Sequence, residues 1–266
     1  MIDFKRKSRY GYEDLVQIIH LLRSPGGCPW DQEQTHASIR RNFLEETYEV
    51  LEAIDEDNPA HLCEELGDVL TQVVFHGDLE QDAGRFTLED IYDGVCKKMI
   101  LRHPHVFGNT QVDGSGDVLE NWDAIKRLEK GQKTYTDTLQ AVAKTLPANW
   151  RAEKLMKKAS KAGFSWPSPR EALDKLGEEL GELREAVAAG ADPAEELGDM
   201  LFAAVGVSYC LQSDPEDSLQ AACDKFIRRF SRMERLADGT GRQLDQLSRD
   251  ELMQLWRAAK ASGPDV

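Results

Sequence analysis

Acidic motifs with the spacing of a helical face occur in both halves of this 266-residue chain. The pentapeptide EELGD occurs at 64–68 and at 195–199, and each copy follows a second acidic cluster, EETYE at 45–49 or EELGE at 178–182. Residues three apart lie on one face of a helix, so antiparallel packing of two such helices would bring four carboxylates together. The two predicted sets are Glu46, Glu49, Glu65 and Asp68 in the first half, and Glu179, Glu182, Glu196 and Asp199 in the second.

Converging carboxylates repel one another and take up protons unless a cation lies among them. An all-oxygen site suits a hard divalent ion, and Mg²⁺ is the ion that we expect. The alternative is a solvated helix face, which is the usual role of a single Glu-x-x-Glu. A di-iron centre normally needs Glu-x-x-His pairs. It is disfavoured because all six histidines lie in the first half, between His20 and His105.

The acidic helices also contain glycine, at Gly67, Gly181 and Gly198. Glycine costs about 1 kcal/mol of helix propensity relative to alanine. Its presence at these three positions therefore indicates the close approach of a backbone or a ligand.

Basic and aromatic residues follow the second acidic pair. Lys225 and Arg229 lie one helical turn apart and would neutralise phosphate oxygens beside a bound metal, although ordinary surface charge is an alternative. Trp256 could stack on a base or pack in the core. A hard-metal cage, a cationic pair and an aromatic side chain together indicate a nucleotide polyphosphate as the ligand.

Helical patterns dominate the chain, and the alternation typical of strands is scarce. Prolines after Asn58, Ser168, Asp192 and Asp214 mark helix starts, and Asp192 with Glu195 is predicted to form a capping box. A glycine-rich loop is predicted at 107–117 and a hinge at 131–138. The predicted helices lie near 11–23, 36–56, 59–82, 88–102, 117–130, 137–161, 169–189, 193–212, 215–237 and 249–261.

Both halves contain the same elements in the same order. Each has a tryptophan-containing loop (CPWD at 28–31 or FSWP at 164–167), the two acidic helices, a Lys-x-x-x-Arg helix and a Trp-x-x-x-Lys helix. The last two elements supply Lys98, Arg102, Trp122 and Lys126 as first-half substrate candidates, matching Lys225, Arg229, Trp256 and Lys260 in the second half. We therefore predict an all-α protein of two tandem helical bundles, residues 1–130 and 137–266.

The composition restricts the partners and the location. A formal net charge of −15 disfavours a nucleic-acid polymer, which requires a basic surface. Five scattered cysteines, without a Cys-x-x-Cys pair, disfavour a zinc site or a disulfide framework. The longest apolar stretches, such as 69–75, are too short to span a bilayer. We expect no membrane partner and a cytoplasmic location.

Several segments resemble the MazG family of nucleoside triphosphate pyrophosphohydrolases, which belongs to the all-α NTP pyrophosphatase superfamily. The likeness covers about residues 11–261, including the tandem arrangement. It implies Mg²⁺-dependent hydrolysis of NTPs (ATP among them) and dNTPs to the monophosphate and pyrophosphate, by water attack at the α-phosphorus, in a homodimer. The segments are CPWDQEQT at 28–35, LEETYEVLEAI at 44–54, EELGDVLTQVVFH at 64–76, RHPHVF at 102–107 and EELGDMLFA at 195–203.

The resemblance also implies roles for individual residues. The catalytic metal ligands fall on Glu179, Glu182, Glu196 and Asp199, and the tandem members favour this second copy as the main catalytic site. The general base is a cage glutamate or Glu178. A non-catalytic nucleotide or Mg²⁺ sensor, or a helical scaffold for a protein partner, remains an alternative. Nucleotide contacts fall on Lys175, Glu178, Asp192, Glu195, Lys225, Arg229, Trp256 and Lys260, and Asp192 departs from the basic residue that family members can carry there.

Overall fold

A computed structural model describes residue 2 and residues 4–261. Within them the chain forms α-helices and one short 3₁₀-helix, with no strand, so the all-α prediction is confirmed. The chain divides into two compact units, Met1–Lys126 and Arg127–Val266. This boundary lies inside a helix, a few residues before the end of the predicted first domain. No helix in the described part of the chain is long and apolar enough to cross a membrane.

Helices α1 to α7 begin in the first unit, and α7 continues past the boundary into the second. Their bounds are α1 Tyr12–Arg23, α2 Pro29–Glu33, α3 Arg40–Asp55, α4 Pro59–Asp82, α5 Leu88–Arg102, α6 Pro104–Phe107 and α7 Ser115–Glu129. The second unit contains α8 Tyr135–Gln140, α9 Ala148–Ser160, α10 Pro169–Ala189, α11 Ala194–Cys210, α12 Pro215–Asp238, the 3₁₀-helix Leu244–Gln246 and α13 Arg249–Ala261.

Local capping determines several helix starts as predicted. The Asn58 side chain accepts a hydrogen bond from the His61 N–H at 3.2 Å, and the Ser168 hydroxyl accepts one from the Glu171 N–H at 3.3 Å. The Asp214 carboxylate accepts from two N–H groups of the first turn of α12. In each case a proline follows the capping residue, where its missing N–H costs nothing.

The predicted capping box at Asp192 and Glu195 is wrong. Helix α11 begins at Ala194, and Pro193 occupies the cap position. The Asp192 carboxylate still accepts a hydrogen bond from the Ala194 N–H, at 3.0 Å. Asp192 therefore stabilises a turn that precedes the helix and does not cap the helix itself.

Two predicted boundaries around the middle of the chain also differ from the structure. The helix expected at 137–161 is divided into α8 and α9, because Pro147 lacks an N–H and restricts the residue before it. The predicted hinge at 131–138 contains the start of α8. There Thr134 and Asp137 form a reciprocal capping box, which orders a segment that lacks any apolar period.

The acidic helices form close pairs, α3 with α4 and α10 with α11. In the first unit α4 also packs against α1 and α5, around the buried side chains of Ile19, Val74, Phe75 and Leu88. In the second unit α11 packs against α9. Each acidic pair is therefore attached to an apolar core through its second helix.

The two cores fill one equivalent position differently. When the EELGD copies are placed in register, Phe75 corresponds to Gly206. Phe75 is buried in the first core. At Gly206 an added Cβ would lie 2.7 Å from Cζ3 of Trp166, so the loop tryptophan fills the space. The tryptophan of the first half, Trp30, lies in the short helix α2 where a loop was predicted, and it is exposed instead.

We expect Gly206→Ala to destabilise the second unit by about 1–3 kcal/mol, because the methyl group would displace the Trp166 ring from a packed core. Chemical denaturation followed by tryptophan fluorescence measures this effect. Gly177→Ala is the matched control: its Cβ would meet no atom within 4 Å, and it should stabilise α10 by up to about 1 kcal/mol. Equal effects of the two variants would contradict the packing role of Trp166.

Candidate functional site

Each unit brings three of the four predicted carboxylates together. In the first-unit acidic group, one oxygen each of Glu46, Glu49 and Glu65 lies within 4.8 Å of the others. The second-unit acidic group has the same arrangement of Glu179, Glu182 and Glu196. The helix that carries Glu-x-x-Glu contributes two side chains on one face, and its partner helix contributes the third.

The fourth predicted ligand lies outside each group. Asp68 and Asp199 are exposed, one helical turn beyond Glu65 and Glu196. Asp68 is nevertheless close enough for its charge to raise the pKa values of Glu46 and Glu65, after the larger effect of burial. The structure therefore presents a three-carboxylate group with one further acid beside it.

Burial and electrostatic repulsion raise the pKa values of several of these carboxyl groups. Burial raises the pKa of Glu46 and of Glu65, and neighbouring carboxylates raise both further. In the second unit the charge of Glu179 is the largest cause of the raised pKa of Glu182, and burial follows. One oxygen of Glu65, Oε2, is buried and has no hydrogen-bond partner among the described residues.

These observations fit a hard divalent cation. The donors are all carboxylate oxygens, which Mg²⁺ and Ca²⁺ prefer. A cation among them would remove the repulsion that raises the pKa values and would satisfy the unpartnered oxygen of Glu65. Glu46, Glu49 and Glu65, or Glu179, Glu182 and Glu196, could hold such an ion.

A basic side chain lies against each acidic group, and it comes from a different position in each unit. Lys175 Nζ is 2.7 Å from Glu179 Oε1 and 3.3 Å from Glu178 Oε2. In the first unit His61 Nε2 is 3.3 Å from Glu65 Oε1, and its Nδ1 is 3.2 Å from Glu56. The sequence analysis named Lys175 only as a nucleotide contact. Its four-residue spacing from Glu179 was the available signal for this ion pair.

The remaining substrate candidates of the second unit lie on α12 and α13, which pack together. Lys225 and Lys260 are exposed, and Arg229 is half-buried. Trp256 is half-buried with its ring against Phe226, at a centroid distance of 5.3 Å. Among the described residues, no hydrogen bond or ion pair joins these side chains to the three carboxylates. Asp192 and Glu195 are exposed at the start of α11.

The equivalent side chains of the first unit pack on one another. The Arg102 guanidinium is buried, 5.3 Å from the centroid of the Trp122 ring. The His103 ring meets Trp122 edge-on at 5.0 Å, and His103 Nδ1 lies 2.6 Å from the Met99 carbonyl oxygen. Lys98 and Lys126 are half-buried. One face of the Trp122 ring is thus already in contact with a cation.

The glycines of the acidic helices lie beside open space. An added Cβ at Gly67, Gly181 or Gly198 would meet no atom within 4 Å. Among the described residues no backbone outside their own helix approaches these glycines, so the expectation of a close backbone contact within this part of the chain is wrong. Approach by a ligand or by a second chain is the part of the prediction that stands untested.

The sequence analysis missed two histidine-containing clusters of the first unit. Asp78 is buried and bonded to His20 and Arg23, with Asp82 nearby, so its carboxylate is already neutralised by a guanidinium. His36 and His76 are hydrogen-bonded through their Nδ1 atoms at 2.7 Å. Their partners come from distant segments, so no local spacing could reveal them.

We expect Glu182→Gln to raise the melting temperature at pH 7 in the absence of divalent ions. The pKa of Glu182 is raised in the folded protein, so its ionisation opposes folding as the pH rises above the ordinary value of 4.5. The stabilisation should therefore disappear as the pH falls below about 4. Melting curves of both proteins at several pH values measure it.

The control for this experiment is Glu185→Gln, which removes the same charge from an exposed position on the same helix. It should change the melting temperature much less. A Glu182 variant that is less stable than the parent at pH 7 would contradict the repulsion described above.

Comparison with known proteins identifies the repeated element. A model of the MazG nucleotide pyrophosphohydrolase domain matches residues 34–107 and again 168–233. The chain is 43% identical to the nucleoside triphosphate pyrophosphohydrolase/pyrophosphatase MazG of Thermotoga maritima, over 94% of this chain and 95% of that protein. It is 39% identical to a nucleoside triphosphate pyrophosphohydrolase of Escherichia coli K12, over 95% of this chain and 98% of the relative.

A third relative has a different length. An uncharacterized protein of Bacillus subtilis, YabN, is 44% identical over 91% of this chain but only 50% of its own length. Each match of the family domain contains one of the two acidic helix pairs. The helices that carry the two acidic groups therefore lie within the family domain. The chain belongs to the MazG nucleotide pyrophosphohydrolase family and contains its domain twice.

Proposed function

We propose that this protein hydrolyses nucleoside triphosphates, both NTPs and dNTPs, to the monophosphate and pyrophosphate in a Mg²⁺-dependent reaction. The observation that carries the proposal is the three-carboxylate group between two family helices, with a proton affinity that a divalent cation would lower. Relatives that match nearly the whole chain are named nucleoside triphosphate pyrophosphohydrolases, which supports the same substrate class.

In the second unit Glu179, Glu182 and Glu196 would hold the ion, with Asp199 as a fourth ligand. Bound there, Mg²⁺ would supply positive charge against phosphate oxygens and polarise a water molecule. Lys225 and Arg229 from α12 would stabilise the negative charge that develops on the departing pyrophosphate. Trp256 would stack on the base and Lys260 would lie beside it. Contacts from Asp192 and Glu195 would come from the N-terminal end of α11, where backbone N–H groups favour an anion.

The hydrolytic step requires a base that takes a proton from the attacking water. The water oxygen bonds to the α-phosphorus while the bond from that phosphorus to the bridging oxygen breaks, and pyrophosphate leaves with the electron pair. Glu182 and Glu178 are the candidates to hold that water and accept its proton. Glu182 is a member of the acidic group that would hold the ion. Glu178 is exposed and lies near Lys175.

We expect Glu196→Gln to lower the rate of pyrophosphate release from a mixed NTP pool by about 100-fold. Even outer partners of metal ligands typically matter by roughly 10- to 100-fold, and Glu196 would be a direct ligand. The assay is run with and without Mg²⁺, and Glu185→Gln serves as the charge-matched control. Wild-type-like turnover by Glu196→Gln would refute the assignment. Nucleotide binding without turnover by the parent would instead indicate a sensor, and neither binding nor turnover would indicate a scaffold.

We further propose that the second unit carries most of the activity. The first-unit candidates Arg102 and Trp122 are engaged with each other, whereas Lys225 is exposed. The double variant Glu179→Gln/Glu182→Gln should abolish most turnover, and Glu46→Gln/Glu49→Gln should retain more than half of it. Pyrophosphate release measures both variants. Loss of activity in the first-unit variant alone, or a comparable loss in both, would contradict a dominant second unit.

We also propose that the protein is a homodimer. The acidic helices of the second unit expose apolar side chains, among them Leu180, Leu197 and Leu201, and a second chain would cover such a surface. Light scattering should give about 60 kDa, twice the chain mass of 29.9 kDa. Leu201→Glu should lower that mass and Leu128→Glu, at an exposed position of α7, should not. A monomeric mass for the parent at micromolar concentration would refute the proposal.

A further inference from the structure

Lys175 occupies a position that a divalent cation would compete for. Its ammonium group lies 2.7 Å from an oxygen of Glu179, the most buried member of the second-unit acidic group. A second carboxylate, Glu178, lies 3.3 Å away on the exposed side. These two bonds are consistent with the raised pKa of Lys175, to which the Glu179 contact contributes most. The lysine is thus charged and directed at a carboxylate that would ligate metal.

The contact also leaves the lysine free to move. Its side chain is 39% exposed, whereas that of Glu179 is only 10% exposed, so the lysine side chain is much more accessible to solvent than the glutamate. A lysine has a flexible four-carbon stem with three rotatable donors. The ammonium group can therefore leave Glu179 without unpacking the helix pair.

The first unit lacks this cation. When the acidic motifs are placed in register, Asn42 corresponds to Lys175 and His61 corresponds to Asp192. The first-unit group therefore receives its basic neighbour from α4, through the contact of His61 with Glu65. The two acidic groups consist of equivalent glutamates, and they differ in which helix carries the basic neighbour.

We propose that Lys175 is a built-in counter-ion of the second-unit acidic group, which a divalent cation displaces from Glu179 and which then becomes available to a phosphate of the substrate. Two cations close to one carboxylate repel each other, so metal binding and the Lys175–Glu179 contact oppose one another. An ammonium group released from Glu179 has lost its carboxylate partner, and a phosphate oxygen takes the place of that partner. Metal and polyphosphate should therefore strengthen each other's binding in this unit, and the effect is reciprocal. The inference rests on the proposed metal-dependent function.

The test is a calorimetric titration with Mg²⁺ alone, without nucleotide. The full-length protein carries Glu46→Gln and Glu49→Gln, so that only the second-unit group is titrated. Adding Lys175→Gln should tighten Mg²⁺ binding on the order of tenfold, because the competing charge is gone. Lys175→Arg keeps the charge and should leave the affinity within about twofold of the parent. Arg184→Gln removes a positive charge from an exposed position of the same helix, and it should also stay within about twofold.

A second variant tests the idea by adding the charge. In the opposite background, Glu179→Gln with Glu182→Gln, only the first-unit group is titrated. Asn42→Lys should weaken Mg²⁺ binding there by a similar factor, since it places a lysine four residues before Glu46. This variant introduces its side chain on a half-buried surface position of α3 and removes no ion pair.

Kinetics separate the proposed role from simpler ones. The Lys175→Gln change in the otherwise native chain should raise KM for the nucleoside triphosphate at saturating Mg²⁺, while the calorimetric metal affinity rises. A higher KM with unchanged metal affinity would make Lys175 a phosphate ligand only and would overturn the counter-ion role. Weaker metal binding in Lys175→Gln would overturn it as well. Absence of Mg²⁺ binding in the parent background would refute the proposed metal site itself, a result distinct from both.

Discussion

The repulsion among three carboxylates held by two packed helices is the constraint on which the rest of each unit depends. A free chain would separate these charges, so folding must hold them together against an unfavourable energy. The stabilising energy that keeps them together comes from the packing of the second helix of each pair. Helix α4 places Glu65 near its start and Val74 and Phe75 in its later half, where they are buried. One helix thus connects the end where carboxylates repel one another to the end where apolar burial stabilises the unit.

Close packing makes that connection stiff. On α4 an added Cβ at Gly77 would lie 2.5 Å from Cδ2 of Leu88, so the Leu88 side chain of α5 fills the space beside this glycine. In the second unit the ring of Trp166 presses on Gly206 of α11 in the same region of the helix. Packed interiors deform little, and a shift of the apolar end would move the carboxylates with it.

The features predicted correctly from the sequence are those that depend on residues close together in the chain. Caps followed by proline placed the starts of α4, α10 and α12 at the observed residue, because the hydrogen bonds span only three residues. The three-residue spacing also identified the members of both acidic groups. Asp68 and Asp199 lie one helical turn farther along and outside the three-carboxylate groups, since sharing a helical face does not fix how far along the helix its partner reaches. At Asp192 the same cap pattern was misread, because proline can occupy the cap itself.

Long-range pairing was beyond such patterns, and it is where the two halves diverge. Nothing in the repeated motifs indicates that Trp166 would replace Phe75 in the second core, or that Arg102 would stack on Trp122 while Trp256 packs on Phe226. The counter-charges differ in the same way. His61 lies on α4, the helix that contributes only Glu65 to the first-unit group. Lys175 lies on α10, the helix that contributes two carboxylates to the second-unit group. A histidine can give up its proton near neutral pH and a lysine paired with a buried carboxylate cannot. Duplicated carboxylates therefore do not make duplicated sites: the charge of the first group depends on a titratable neighbour, and that of the second on a permanent one.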